Sequence, residues 1–252
     1  YVARSCHDSI DCLLVALVTV PVLEVAPATP RSRLVVADFA SALFDFLPGH
    51  AVLIGSHGQP SRRPYSIASS PERTRESGRL ELLVAAEADG ELGPHLPSLS
   101  PGSLVDIEGP LGTFVFPADP SQQNLLFIGG GTGIAPLRAM IDHALRQHPS
   151  RAVSLLYSAR RSDEFAFVEE LQAHAGAGRL ELHRTVTRDA SATWSGGRGR
   201  IGQRHYEAVL HDPGSTLCFV CGPRTMVAES VTVLRALGVP DAAIRTEGWG
   251  TG

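Results

Sequence analysis

Residues 125–137 read Leu-Leu-Phe-Ile-Gly-Gly-Gly-Thr-Gly-Ile-Ala-Pro-Leu, and no other stretch restricts the possible folds so much. Four apolar residues form a short buried-strand signal, glycines at 129, 130, 131 and 133 interrupt it, and from Ile134 apolar residues recur at Leu137, Ile141 and Leu145 with helical spacing. Strand, tight turn and helix in that order leave backbone N–H groups at a helix N-terminus with no side chains in front of them. Such a turn suits the pyrophosphate of a dinucleotide. Residues 131–136 fit GxGxxP rather than GxGxxG, and Pro136 is compatible because it falls in the first helical turn. An ordinary tight turn fits the same letters, so the rest of the chain has to decide.

A length of 252 residues allows two ordinary domains, each with its own core. A hydrophobic content of 43% and a charged content of 19% describe a soluble globular protein, and a net charge of −4 gives no reason to expect a nucleic acid or an anionic membrane as partner. All 22 basic residues are arginine, so every cationic side chain is a guanidinium fork, histidine apart. The longest apolar run, residues 13–23, is about half the length needed to span a bilayer, and no charged leader with a cleavage site precedes it. No membrane span is expected. Four cysteines, Cys6, Cys12, Cys218 and Cys221, are too few for a disulfide framework and fit a reducing, cytoplasmic location.

Residues 1–12 are polar and irregular and carry no assignable role. Short β-like segments follow at 13–20, 32–36, 51–54, 80–85 and 104–108, separated by Pro- and Gly-bearing turns, which favours a barrel or sandwich. Residues 117–121, Pro-Ala-Asp-Pro-Ser, form the best linker. Beyond them strands alternate with helices: strands at 125–128, 153–157, 180–186 and 217–220, helices near 134–147, 164–174, 203–210 and 224–237. This alternation predicts a parallel sheet with helices on both faces and a ligand at the carboxyl ends of the strands. Residues 188–200, rich in Ser, Gly and Arg, read as a mobile surface loop.

In the β-rich half, Arg63-Pro64-Tyr65-Ser66 could grip a phosphate by the guanidinium fork while the ring lies against a planar ligand. A strand edge with a surface arginine and a half-buried tyrosine is the plain alternative. Further along stand Gly109-Pro110-Leu111-Gly112-Thr113-Phe114, the glycine turn, and Cys221-Gly222-Pro223. With these four motifs in this order over most of its length, the chain resembles the ferredoxin–NADP reductase superfamily. The resemblance implies an antiparallel β-barrel that binds flavin, over residues 1–118, and an α/β parallel-sheet domain that binds the pyridine nucleotide, over residues 119–252.

Carried over position by position, the resemblance implies that Arg63 pairs with the FAD pyrophosphate, flanked by Pro64, and that Tyr65 packs against the flavin. Ser66 would sit near flavin N5, Cys221 near the nicotinamide C4, and Glu247 would be the carboxylate that family members often carry near the flavin. Trp249 would either cover the flavin ring or serve as a docking aromatic with no chemical role. Gly131 and Gly133 would let the dinucleotide approach the backbone, Thr132 would donate a hydroxyl, and Leu83, Gly130, Gly222 and Pro223 would complete the cofactor contacts. The family's second phosphate motif, G-x-x-S or G-x-x-T before a helix, reads here Gly90-Glu91-Leu92-Gly93. The hydroxyl donor is missing, which leaves the backbone N–H groups of a following helix to hold FAD more weakly; FMN is the alternative flavin. At residues 157–161 a hydroxyl and two guanidinium groups, with Ser158, Arg160 and Arg161 singled out, stand where a 2′-phosphate would lie, and no acidic residue appears before Asp163. That favours NADPH over NADH.

Cys218-Phe219-Val220-Cys221 has C-x-x-C spacing but reads as a buried strand, and the four cysteines do not match iron–sulfur or zinc spacings, so no metal centre is expected. Neither H-E-x-x-H nor G-x-S-x-G occurs, which leaves hydrolase readings without support. His50 reads as a strand residue near the flavin site rather than a base. The expected function is a flavin-dependent reductase that moves hydride from NAD(P)H to FAD and electrons onward. No ferredoxin domain is recognisable in the sequence, so the acceptor is expected to be a separate ferredoxin, oxygenase or haem protein. The alternatives are a flavin oxidase or small-molecule reductase and a non-catalytic regulatory protein that binds nucleotide and flavin without turnover.

Overall fold

Along Ala16–Thr29 (β1) buried valines at 20 and 22 alternate with more exposed neighbours, the mark of a strand with one face on a core. A two-residue turn returns the chain into Ser32–Asp38 (β2), with the Thr29 and Ser32 hydroxyls 2.8 Å apart across it. The computed structural model describes residues 14–41, 43–86 and 92–249. Gly90, Cys6, Cys12 and the start of the apolar run at residue 13 lie outside them. Ala51–Ser56 (β3), Arg63–Ser66 (β4), Arg79–Ala85 (β5) and Leu104–Leu111 (β6) complete an antiparallel sheet of order β4-β3-β6-β1-β2-β5. A bridge between Ile67 and Leu82 joins its two ends and nearly closes a barrel. Val35, Val52, Ile54, Ile67, Leu80, Leu82, Val105 and Ile107 fill the interior.

One barrel helix, Pro71–Ser77 (α1), has no apolar period to announce it, since it reads Pro-Glu-Arg-Thr-Arg-Glu-Ser. Its capping chemistry is nevertheless legible. The Ser70 hydroxyl accepts from the Arg73 amide at 3.1 Å, Pro71 opens the helix, and Gly78 closes it at φ 66°.

From Asn124 the second layer begins: strands Asn124–Gly130 (β7), Ala152–Ala159 (β8), Glu181–Val186 (β9), Gly197–Arg198 (β10), Thr216–Pro223 (β11) and Ile244–Trp249 (β12). All pair in parallel in the order β10-β9-β8-β7-β11-β12. Helices Ile134–Gln147 (α2), Val168–Gly176 (α3), Gln203–Val209 (α4) and Arg224–Ala236 (α5) connect them. The expected alternation is thus present, and α2 has the anticipated span. Strand β12 escaped the sequence reading because Ile-Arg-Thr-Glu-Gly-Trp is mostly polar, as an edge strand with one partner can be. Residues 188–200 are tied down rather than loose: Trp194 stacks on Phe165 at 5.4 Å, and its indole N–H donates to the Gly197 carbonyl at 2.9 Å. Because β8 and β11 flank β7 on opposite sides, the strand order reverses at the carboxyl end of β7, where open α/β sheets bind ligands.

Candidate active site between the barrel and the parallel sheet

The glycine turn lies at that reversal. Gly131–Gly133 form a short 3-10 turn leading directly into α2, and Gly131 has φ +55°. A Cβ on Gly133 would fall 2.3 Å from the Cys221 carbonyl oxygen and 2.9 Å from the Gly222 nitrogen, so the turn packs backbone to backbone on the end of β11. A Cβ on Gly130 would meet Met226 Sδ at 2.7 Å, and one on Gly222 would come within 3.2 Å of the Gly130 backbone. Tyr157 locks the turn from below: its buried hydroxyl donates to the Gly131 carbonyl at 3.2 Å and accepts from the Ala166 amide at 3.1 Å.

A cleft of about 490 Å³ opens in front of the turn and runs between the two layers. Gly130, Gly131, Thr132, Ser158, Arg160 and Pro223 line it on the sheet side, and Leu83 lines it from the barrel. The side chain of Arg161 points elsewhere. Beyond the end of β8, Arg161 lies largely in solvent with its Nε 3.3 Å from Asp163 and is not among the cleft residues. The sequence reading missed Arg31, Arg188, Arg200 and Arg224, which bring the cleft to five arginines against the two glutamates Glu164 and Glu229. These four come from four separate stretches of chain, so no local motif announces them.

On the barrel, β4 runs along β3 and presents Tyr65 and Ser66 half-buried and Arg63 and Pro64 exposed. Tyr65 lies nearly parallel to His95, with centroids 5.6 Å apart, and its hydroxyl is 2.9 Å from His95 Nε2. The helix expected after Gly93 does not form. Pro94 and Pro97 lack amide donors, and residues 94–98 make turns in which the Leu96 amide donates to the Gly93 carbonyl at 3.1 Å. Leu92, in the stretch expected to hold the flavin phosphates, has its side chain in the barrel core. His50 is buried just before β3, with Nδ1 accepting from the Leu47 amide at 2.9 Å and its carbonyl from the Ile67 amide at 2.9 Å.

Ser66, Cys221 and Glu247 are brought together. The Ser66 hydroxyl donates to Glu247 Oε2 at 3.3 Å, and the Cys221 thiol donates to the same oxygen at 3.8 Å. Ser66 belongs to the barrel, whereas Cys221 and Glu247 are register partners on β11 and β12. Trp249 stands opposite Pro223 in the same register. Burial raises the Glu247 pKa above the usual carboxylate range, against the two hydrogen bonds that lower it. Burial, and then the facing Glu247 carboxylate, push the Cys221 thiol well above its ordinary value, so it stays neutral. Cys218 is deeper in the core, and burial lifts its pKa to about 12.

A pH test follows from the Glu247 shift. A carboxyl whose folded pKa is raised gives its full stabilisation below the unfolded value of 4.5 and loses it as pH rises through the folded value. Glu247→Gln should therefore melt at a higher temperature than the parent at pH 8, with the difference shrinking towards pH 4. A constant difference across that range would contradict the shift.

A second polar cluster fastens the layers behind the cleft. Arg138 of α2, only 5% exposed, donates to the Ala68 carbonyl at 3.0 Å and pairs with Glu81 of the barrel. It also pairs with Glu170 of α3 at 2.7 Å and lies over the Phe167 ring at 4.2 Å. One turn on, Asp142 accepts from the Ser70 hydroxyl at 2.5 Å, from Arg73 at 3.2 Å and from Arg146 at 3.1 Å. Burial works against the ionised carboxyl, but these donors together hold the Asp142 pKa below the usual range.

The residues fit a flavin and a pyridine nucleotide. At Gly93, with φ +82°, a Cβ would lie at ordinary contact distance from His95 Nδ1, 3.6 Å, and Arg63 Nη1, 4.0 Å, so the side chain that Gly93 lacks leaves these two nitrogens facing one place. The glycine turn leaves its backbone bare to the cleft. Comparison with known proteins agrees. Residues 25–116 match the oxidoreductase FAD-binding domain, and residues 127–232 the oxidoreductase NAD-binding domain. The ferredoxin–NADP reductase B of Sorangium cellulosum is 31% identical over 221 residues, which cover 84% of this chain and 87% of that protein. The chain belongs to the ferredoxin–NADP reductase superfamily. One component of the Na(+)-translocating NADH-quinone reductase of Klebsiella pneumoniae is 33% identical over 76% of this chain and 50% of its own length. The chain thus spans about half the length of such relatives. Among solved structures of the superfamily fold, an Amycolatopsis cytochrome P450 reductase superposes with a TM-score of 0.81 at 26% identity, covering 95% of this chain and 73% of that one. The ferredoxin reductase in carbazole 1,9a-dioxygenase gives 0.80 at 25%, covering 96% and 71%. The order of barrel and parallel sheet expected from the motifs is that of the family. Among the described residues, no helix is long and apolar enough to cross a membrane.

Proposed function

We propose that this chain is a flavin-dependent reductase that accepts hydride from NAD(P)H and passes electrons to a separate redox protein. The observation that carries the reading is the meeting of Ser66 from the barrel with Cys221 and Glu247 from the parallel sheet on one carboxylate oxygen. Groups on the two cofactor-binding layers are thereby in hydrogen-bond contact where donor and acceptor rings must approach. A bound flavin supplies a centre that takes two electrons together and can return them singly. Arg63 beside Gly93 holds its phosphates, Tyr65 orients its ring system, and Ser66 presents a hydroxyl at its edge. Gly131, Thr132 and Gly133 receive the nucleotide pyrophosphate, and the neutral Cys221 thiol lines the nicotinamide position without adding charge. Glu247 fixes both the hydroxyl and the thiol through Oε2, and burial raises its pKa above the ordinary carboxylate value. The flavin domain ends, in this reading, at residue 118. Free, buried thiols at Cys218 and Cys221 support a reducing, cytoplasmic setting.

The acceptor class is read from turnover. Purified, flavin-loaded protein should oxidise NAD(P)H quickly when given a one-electron acceptor protein such as a ferredoxin, and slowly with dioxygen alone. Fast turnover with dioxygen alone would point to an oxidase instead. Ser158 and the arginine-rich cleft favour NADPH. A guanidinium–phosphate hydrogen bond contributes about 1.5–3 kcal/mol, so Arg160→Ala should raise KM for NADPH roughly tenfold or more and leave KM for NADH within about twofold. Equal losses for both nucleotides would assign Arg160 to the phosphates they share.

A further inference from the structure

We propose that His95 belongs to the flavin site, its Nδ1–H making the phosphate hydrogen bond that a serine or threonine hydroxyl at position 93 makes in the family pattern. The inference rests on the flavin reading of the barrel and identifies a donor that no motif in the chain marks.

His95 is 1% exposed, and its two ring nitrogens are in unlike situations. Nε2 is 2.9 Å from the Tyr65 hydroxyl, whereas Nδ1 has no hydrogen-bond partner among the described residues. A buried ring nitrogen left without a partner is unfavourable, and native proteins rarely leave one so without a use for it. The surroundings of Nδ1 say what the use is. A Cβ built on Gly93 would lie 3.6 Å from His95 Nδ1 and 4.0 Å from Arg63 Nη1, ordinary contact distances, so the two nitrogens converge on the place a side chain at position 93 would take. Gly93 at φ +82° carries none.

The phosphate hydrogen bond requires one tautomer of the ring. The Tyr65 phenol has its pKa raised by burial, against the opposing effect of Arg63, and stays protonated; in the proposed arrangement it donates to Nε2, which puts the hydrogen on Nδ1. Burial, and then the positive charge of Arg63, lower the His95 pKa, so the ring is neutral and offers that single donor. A donor beside a guanidinium fork suits an anion with several oxygens, such as a phosphate, and neither a cation nor an apolar group. The mount is rigid. The His95 carbonyl accepts from the Ser56 amide at 2.9 Å at the end of β3, and the Gly93–Leu96 turn closes at 3.1 Å.

The test compares FAD with riboflavin, which has the same ring system and no phosphate. Dissociation constants of both are measured by flavin fluorescence for the parent, His95→Phe, His95→Asn and Arg63→Ala, with thermal melts of each flavin-free protein. His95→Phe keeps the ring stacked on Tyr65 and removes the donor. It should weaken FAD about tenfold to a hundredfold, leave riboflavin within about twofold, and melt with the parent. His95→Asn, whose amide nitrogen can take the Nδ1 position, should recover most of the FAD affinity. Unchanged FAD affinity in His95→Phe beside a clear loss in Arg63→Ala would overturn the role of His95 and leave the flavin site standing. Equal weakening of FAD and riboflavin would make His95 a packing residue and overturn the proposal as well. If neither variant affects FAD, the flavin reading itself falls. Nitrogen-15 spectra of the unsubstituted protein need no variant: the His95 Nδ1 resonance should be that of a protonated nitrogen and should move on adding FAD but not riboflavin, and a resonance indifferent to FAD would contradict the contact.

Discussion

Gly133→Ala should abolish nucleotide-dependent reduction while flavin stays bound. The added methyl would sit 2.3 Å from the Cys221 carbonyl oxygen, 2.6 Å from its carbon and 2.9 Å from the Gly222 nitrogen, all backbone atoms of β11 that cannot swing aside. Either the turn or the strand end must shift to relieve the overlap. The turn's amides would then leave the position they hold for a pyrophosphate, and Cys221 would leave its place beside Glu247. Misplacing reacting groups by about an ångström can slow a reaction about a hundredfold, so the rate of flavin reduction by NADPH should fall at least that far. The barrel contributes nothing to this clash, and the absorbance of bound flavin should match the parent. Retained reduction rates would mean that the turn does not carry the nucleotide.

Arg138→Ala should produce the largest loss of stability of any single substitution at the layer contact. The guanidinium answers Glu81 and Glu170, whose side chains are only 15% and 25% exposed, and the Ala68 carbonyl. Removing one partner of a buried ion pair leaves the other charge unpaired and typically loses about 3–5 kcal/mol, even though such a pair need not be net stabilising when intact. For a chain of this size that corresponds to a thermal midpoint lowered by roughly 6–20 °C. Function should suffer too. Ala68 is two residues beyond Ser66, and Arg138 is five beyond Gly133, so this one side chain couples the serine of the barrel to the nucleotide turn of α2. A midpoint within a degree or two of the parent would show that Arg73 and solvent compensate.

These two positions also show what the sequence could and could not disclose. Gly133 was legible because a buried strand, four glycines and a helical period occur together within a dozen or so residues, and the chemistry of a tight turn is local. Ser66, Cys221 and Glu247 were legible only as members of motifs shared with a family; nothing in the chain itself says that residues separated by 181 positions meet on one oxygen atom. Arg138 lies between Leu137 and Ala139 on α2 and reads as a solvated helix residue, yet it is buried, because its partners come from β5 and α3. The only local hint was the Arg138, Asp142, Arg146 series at four-residue intervals, a polar stripe beside the apolar one. His95 was hidden for the same reason, since its meaning depends on Tyr65, thirty residues earlier, and on a glycine where a hydroxyl was expected. Arg160 and Arg161 were named together because composition at a strand end does not tell which of two adjacent arginines lines the cleft.

On the proposed function, the glycine turn delivers hydride across the layer contact to a flavin held by the barrel. Anaerobic stopped-flow mixing of the flavin-loaded protein with NADPH and, separately, with NADH tests it most directly, following the loss of oxidised-flavin absorbance. Rapid bleaching by at least one nucleotide, faster with NADPH, is the expected result. A protein that carries flavin and is bleached by neither would contradict it, because the turn would then not be a working hydride-donor site and the chain would bind its cofactors without turnover.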